Sequence, residues 1–414
     1  MKDIFLKSRK LNWLLPLLVV AGFASCRKDN SLGFTPGTGT PTITSVHTLS
    51  KTDTSKVPRV TTAIDNQGNV TTDTIDYPIN PAGFDSLTTS GTKGSYYVIY
   101  GTNLGSTTTI TFNGVSAYFN RALISDNSLI VSIPNSVPTT GSAANNKLVV
   151  TTLYGSVSYN FTVLSPPPTI TTPSDYDFWS GYQVTLAGVG FSTVTSVGLT
   201  GSTATCTIIS QTDAQLVIQF PTTSVNTASL VFSYASGGKT VNVTSTQVFN
   251  DLDNAYTIFF KNSFQNSWGD NSWSGPSGVS TNASHSGTAS AEATYPSNGW
   301  KIEGWANWYP SFSYSASYQY LTFWVKGGSV DQTLTLVGDK MVGGYGQNTS
   351  PAAIQQIDVP PNVWTYYKIP LGTGSGQLNY WATGSPAQQL GFFLKGQGSD
   401  PNETMYFDEV AFVK

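Results

Sequence analysis

Two stretches of this chain repeat each other, and that repeat constrains the fold more than any other feature. Gly101-Thr-Asn-Leu104 aligns with Gly188-Val-Gly-Phe191, 87 positions on. The same offset pairs Phe112-Asn-Gly114 with Leu199-Thr-Gly201, and Asp126-Asn-Ser-Leu-Ile-Val-Ser-Ile-Pro134 with Asp213-Ala-Gln-Leu-Val-Ile-Gln-Phe-Pro221. After a short indel, Leu148-Val-Val150 matches Leu230-Val-Phe232 and Gly155 matches Gly237. Both copies open alike, with Pro41-Thr-Ile-Thr44 and Pro168-Thr-Ile-Thr171. Inside them, short runs of Val, Ile, Thr, Tyr and Phe are broken roughly every 8–12 residues by Gly, Asn, Asp or Pro, the pattern of an all-β sandwich. Two homologous sandwiches are therefore expected at 41–165 and 166–249. The first carries an insertion near 51–93, with Asp65-Asn-Gln-Gly-Asn69 as a hairpin tip. Pro166-Pro-Pro168 forms a stiff joint between the copies.

Composition narrows the function. Charged residues are 10% of the 414 and the net charge is −3, so no basic stripe exists for nucleic acid. Aromatics reach 13%, enough apolar surface for real cores. With two histidines and two cysteines, Cys/His zinc clusters, Cys–His catalysis and a disulfide framework are all disfavoured. Cys206, in Thr205-Cys-Thr-Ile-Ile209, reads as a small buried strand residue.

The N-terminus gives an address. Lys2, Lys7, Arg9 and Lys10 precede an apolar stretch, 11–24, that is too short and too broken to span a bilayer. It ends in Phe23-Ala-Ser-Cys26, which resembles a bacterial lipobox. The resemblance implies a signal peptide over 1–25, lipidation of Cys26 and a flexible tether over 26–40. Arg27-Lys-Asp-Asn-Ser31 resembles the short charged signals that send lipoproteins of Bacteroidetes-type bacteria to the outer face of the outer membrane. Acyl chains would be the anchor.

Residues 250–414 differ from the repeats. Strands are expected at 256–260, 288–293, 320–325, 333–337, 365–369, 390–394 and 405–413, with long aromatic loops between them. Eight of the ten tryptophans lie here, and five fall between Trp268 and Trp308 in Gly-, Ser- and Asn-rich sequence. Indoles in turn-like polar sequence suit a neutral ligand with both apolar and hydroxylated faces, such as a carbohydrate. Sugar C–H faces stack on the negative face of an aromatic ring, and interleaved amides bond the hydroxyls.

The glycine, Asn-Gly and strand-to-Pro pattern of the repeats resembles the immunoglobulin-like IPT/TIG family, which implies spacer domains. The strand order and the ending Met405-Tyr-Phe-Asp-Glu-Val-Ala-Phe-Val413 resemble the jelly-roll sandwiches of carbohydrate-binding modules. Taken together, the chain resembles surface glycan-binding proteins of Bacteroidetes polysaccharide-utilisation systems, of the xyloglucan-binding type. The fold implied is all-β: two tandem immunoglobulin-like sandwiches, then a C-terminal jelly roll over 250–414. The function implied is non-catalytic capture of a neutral polysaccharide, a β-glucan or xyloglucan. The partners implied are that polysaccharide, the outer membrane through the lipid anchor, and a glycan transporter complex.

The expected platform has Trp268 and Trp273 in one loop and Trp305, Trp308 and Tyr309 in another, with Glu303 and Asn307 as polar contacts. Trp273 and Trp308-Tyr309 fit the spacing of the aromatic platform in the resembling domains, although the Trp–Tyr order is reversed. Trp324 and Trp364 read as packing, Trp300 fits either role, and Trp381 is a further loop candidate. Two readings from other classes stay open: an adhesin with a protein-binding face, and a glycoside hydrolase using Glu292 and Glu303. Related sandwiches also pin their terminal strands with calcium, which makes Asp408 a candidate ligand for a structural ion.

Overall fold

The computed structural model describes residues 35–49, 56–64, 70–78 and 86–414, with only the backbone described between 56 and 78. Cys26, the tract to Ser31 and the expected hairpin tip at 65–69 lie outside the described residues. The chain divides into two compact units, Met1–Pro166 and Pro167–Lys414. Both are all-β; the helical turns among the described residues are short 3-10 segments.

In the first unit, Thr42–Thr48, Tyr96–Thr102 and Ser128–Ser132 form one sheet, and Gly155–Asn160, Lys147–Thr152, Thr107–Phe112 and Val115–Ser116 form another. Ile99, Leu129, Ile110, Phe112, Leu148 and Val150 point inward from these strands and form the core. Each such side chain contributes about 1.5–3 kcal/mol when fully buried. Within the insertion, Lys56–Ile64 pairs antiparallel with Val70–Pro78, as a hairpin requires.

The repeat has a structural cause. The opening strand of each copy carries a register shift at the same place, between Ile43 and Ser45 and between Ile170 and Thr172. Opposite each shift sits a repeated glycine. A Cβ on Gly101 would lie 1.9 Å from the Thr42 carbonyl oxygen, and one on Gly188 2.0 Å from that of Thr169. Only glycine admits this approach of two backbones. The following Leu104 and Phe191 are then buried in equivalent positions.

The second unit holds the other repeat copy and the C-terminal domain. In the repeat copy, Leu186, Phe191, Leu216, Ile218 and Phe232 form the core. Cys206 is buried there, and burial pushes its thiol up to about 12. The strand Lys239–Asp251 and the turn Leu252–Asn254 lead into the C-terminal sandwich. Leu252, Ala411 and Val413 pack together at this junction, with Trp179 and Tyr320 against them. Polar contacts add to it: Asn250 donates to the Tyr366 hydroxyl at 2.9 Å, and Lys368 donates to Asn250 at 3.2 Å.

The C-terminal domain packs two sheets face to face. One joins Thr257–Lys261, Glu403–Val413, Ser290–Tyr295 and Ser277–Ser280, with Tyr320–Lys326 and Trp364–Pro370 alongside. The other is five-stranded, in the order Gly269–Asp270, Trp300–Ala306, Gln389–Lys395, Gln332–Val337, Gln356–Val359. Between them lies an aromatic core that includes Phe259, Phe323, Phe392, Phe407 and Phe412. All seven expected strands are present. The segment from Trp300 to Ala306, read as a loop, is instead a strand of the five-stranded sheet.

Candidate functional site

That extra strand reassigns several expected site residues. Side chains alternate across a strand, so Lys301, Glu303 and Trp305 share one face of Trp300–Ala306. Their neighbours Leu394, Phe392 and Leu390 on the adjacent strand belong to the core between the sheets. Trp305 is accordingly 0% exposed, and its indole N–H donates to Glu303 at 3.2 Å. Glu303 is also 0% exposed and accepts from the Ser272 hydroxyl at 3.0 Å. Burial pushes its carboxyl up to about 8, against the pull of Lys301. Neither side chain is exposed. Trp268 is 4% exposed and packs on Phe259, with ring centroids 4.3 Å apart. Asn307 is buried as a brace: it donates to the Asn266 carbonyl at 3.1 Å and accepts from Ser311 N–H at 3.2 Å. Four of the seven expected contacts thus belong to the scaffold, because polar sequence around them encodes a strand and its turns.

The opposite face of the same sheet carries a second apolar cluster, Ile302, Val337 and Phe393, with Trp300 and Tyr345 against it. Register defines a row across four of the strands, extended by Trp273 at an isolated bridge. Trp273 bridges Ile302, Ile302 lies opposite Phe393, Phe393 opposite Thr335, and Thr335 opposite Gln356. The row passes from aromatic to polar. Beside its polar end is a hollow of about 410 Å³ lined by Thr333, Thr335, Gln356, Phe393, Lys395 and Gln397, among others.

Tyr345 sets the aromatic end. Its ring covers two strand glycines, where a Cβ on Gly304 would come 2.0 Å, and one on Gly391 3.0 Å, from its atoms. Its hydroxyl donates to the Asn271 carbonyl at 2.7 Å, and burial raises its pKa, so it stays a neutral donor. Trp273 stands edge-on to this ring and is 41% exposed. Trp273 is therefore a presented indole with a fixed wall behind it.

Trp308 and Tyr309 are the other expected contacts that remain on the surface, at 59% and 87% exposure. They follow directly from the strand: Asn307 N–H bonds the Gln388 carbonyl at 2.9 Å, and the Gln388 side chain bonds the Trp308 carbonyl at 3.2 Å. Six residues separate Trp308 from Ile302, the partner of Trp273, or roughly 20 Å along an extended strand.

Tyr345, Phe393, Thr335 and Gln356 escaped the sequence reading. The one legible signal for them was Gly304 and Gly391 inside strands, since a strand glycine marks close approach of another group. Of the remaining tryptophans, Trp324 and Trp364 belong to the sandwich. Trp324 is buried on the outer side of its strand, where it donates to Asp175 of the preceding sandwich at 3.1 Å. Trp381 lies beside Tyr314 in a separate cleft of about 650 Å³ and donates to the Phe312 carbonyl at 3.3 Å.

Asp408 does not fit a calcium ion. Its Oδ2 accepts the backbone N–H groups of His285 and Ser286 at 3.0 and 3.2 Å, and its Oδ1 accepts that of Glu409 at 2.9 Å. Calcium requires six to eight oxygen ligands. Here N–H dipoles, not carbonyl oxygens, face the carboxylate, so Asp408 acts as a cap for the 285–286 turn.

By fold, the chain is an all-β series: two repeated sandwiches in sequence, then a C-terminal sandwich of two face-to-face sheets. No family model matches this sequence. Among solved structures, the chain is similar to a surface glycan-binding protein from Prevotella bryantii, with a TM-score of 0.51 and 17% identity, over 92% of this chain and 99% of that one. It also aligns with a surface glycan-binding protein from a complex xyloglucan utilization locus in Bacteroides uniformis, with a TM-score of 0.39, 18% identity, and coverage of 78% and 96%. In sequence, it is 35% identical over 123 residues to an IPT/TIG domain-containing protein of Bacteroides ovatus. That match covers 29% of this chain and spans 25% of that relative's length.

Proposed function

We propose that this chain captures a neutral polysaccharide, a β-glucan or xyloglucan, at a bacterial surface and does not cleave it. The observation that carries this reading is the presented Trp273 indole, held against Tyr345 at one end of a row that runs into hydroxyl and amide groups. A flat, extended glycan can stack its C–H face on Trp273 while the exposed Gln356 amide, at the polar end of the row, takes its hydroxyls. Trp308 and Tyr309 extend the aromatic surface for a longer chain. The Prevotella bryantii likeness in fold supports the same reading.

Hydrolysis is disfavoured by placement. A glycosidase needs two carboxyls facing each other across a cleft. Glu303 is enclosed between the sheets, and Glu292 sits on the other sheet, bonded to Ser280 and Asn282. The lipobox at Cys26 supports an outer-membrane anchor, and with it a role beside a glycan transporter.

Affinity electrophoresis of the full chain against neutral β-glucans, xyloglucan, mannan and xylan tests this. Retardation by at least one glycan, abolished in Trp273→Ala, is the expected result. Unretarded migration in every gel would favour the adhesin, and release of reducing ends would restore the hydrolase.

A further inference from the structure

A second site lies away from the glycan face, where the two sandwiches of the C-terminal unit meet. We propose that Asp175, His285 and Glu409 bind a divalent transition ion of the zinc class that ties the second immunoglobulin-like sandwich to the jelly roll. Asp175 comes from the immunoglobulin-like sandwich, between its strands Thr169–Pro173 and Asp177–Phe178. His285 comes from the loop before Ser290–Tyr295, and Glu409 from the last strand, at a positive φ of 52°. That kink sits beside a register shift in the pairing with Tyr320–Lys326. It lets two consecutive residues, Asp408 and Glu409, both reach the His285 loop.

The two distances to His285 fit an ion. His285 Nδ1 lies 3.6 Å from Asp175 Oδ2 and 3.6 Å from Glu409 Oε1, and one ligand atom from each residue lies within 4.8 Å of the others. Two ligands about 2.0–2.2 Å from zinc at the tetrahedral angle stand roughly 3.3–3.6 Å apart.

The second observation is an unmet demand. Glu409 is fully buried and its carboxylate makes no well-formed hydrogen bond, with the Ser286 hydroxyl and the Asp175 carboxyl beside it; His285 Nδ1 also lacks a hydrogen bond. Buried polar atoms without partners are costly. Here acceptors from two residues converge on one point, next to a second buried carboxylate. A bound cation satisfies all three at once.

The surroundings hold these ligands in place. Asp175 accepts from the Tyr182 hydroxyl at 3.0 Å, the Trp324 indole at 3.1 Å and Asp177 N–H at 2.9 Å. Trp324 also stacks flat on the His285 ring, with centroids 3.8 Å apart and planes at 14°. Such outer contacts orient first ligands and tune affinity. One imidazole with two carboxylates selects zinc or a neighbouring transition ion over calcium, which takes oxygen alone.

The test uses the full chain, purified without chelator and dialysed. Elemental analysis should find zinc in stoichiometric amount, and His285→Gln and Glu409→Gln should each weaken zinc binding roughly tenfold or more. In chelator-stripped wild type, added zinc should raise the melting temperature while equimolar calcium should not. The wild-type titration stands even if a variant does not fold. Stripped wild type that takes up no zinc and does not respond in its melt would overturn the site and assign a shared proton to Asp175 and Glu409. Zinc retained equally by both variants would overturn it too.

Discussion

The Trp273 indole meets the Tyr345 ring edge-on, with centroids 5.0 Å apart and planes at 87°. The two residues are far apart in sequence, and one presents what the other holds. Tyr345 fills the space above Gly304 and Gly391 and buttresses the part-exposed Trp273 indole.

Trp273→Ala should weaken glycan binding roughly tenfold, the equivalent of ~1.4 kcal/mol. Folding stability should move by less than about 0.5 kcal/mol, because the indole is largely on the surface. Isothermal titration with a bound oligosaccharide, paired with a denaturant melt, separates the two quantities. Tyr345→Ala should weaken binding and also lower stability, since it uncovers two strand glycines.

Trp305→Ala should behave in the opposite way. Removal of a fully enclosed indole costs about 3–5 kcal/mol, which a urea midpoint reports. The protein that remains folded should bind glycan with near-native affinity. A large affinity loss without destabilisation would return Trp305 to the platform.

Trp308 and Tyr309 should matter in proportion to ligand length. An extended segment of the length between Ile302 and Trp308 would put them up to roughly 20 Å from Trp273. The double variant Trp308→Ala/Tyr309→Ala should leave affinity for a disaccharide nearly unchanged and reduce that for a long oligosaccharide several-fold. Titration against a length series checks it.

Glu303 gives stability a pH dependence of definite sign. Its carboxyl titrates at about 8 when folded against an ordinary value of 4.5. Between these values the folded protein holds a proton that the unfolded chain has released. Stability should therefore be full below pH 4.5 and decline as pH rises toward about 8. Glu303→Gln keeps the hydrogen-bonding shape without the titration, so its melting temperature should vary less across that range. An identical slope in both proteins would remove Glu303 as the source.

Asp408→Ala should destabilise the chain by about 2–4 kcal/mol, because three backbone N–H groups, two of them buried, lose their acceptor. Calcium should shift the melting temperature of neither wild type nor variant. A calcium-dependent rise in wild type would contradict the capping role.

Much of this architecture was legible in the chain. The repeated glycines, strand-to-Pro runs and turn residues are local signals, and they specify sandwiches because each reports a backbone demand met within a few residues. Gly101 and Gly188 are the clearest instances: their repeat in sequence is a repeat of one backbone contact. The seven strands of the C-terminal domain were likewise legible from β-branched and aromatic runs. Trp300–Ala306 was not, since Gly304 breaks its short alternation and the face it turns to the core carries Lys301 and Glu303, charges that read as exposed.

By itself, the sequence determined that this protein is a series of β-sandwiches and that its aromatic surplus lies in the last of them. Tertiary structure alone decided which aromatics are presented. Trp268 and Trp273 sit five residues apart in similar polar sequence, yet one is core and one is surface. What separates them is the sheet behind each, and sheet partners come from strands far away in the chain. The same holds for Asp175, His285 and Glu409. No spacing links them, and only the packing of one sandwich on another brings their ligand atoms within a few ångströms.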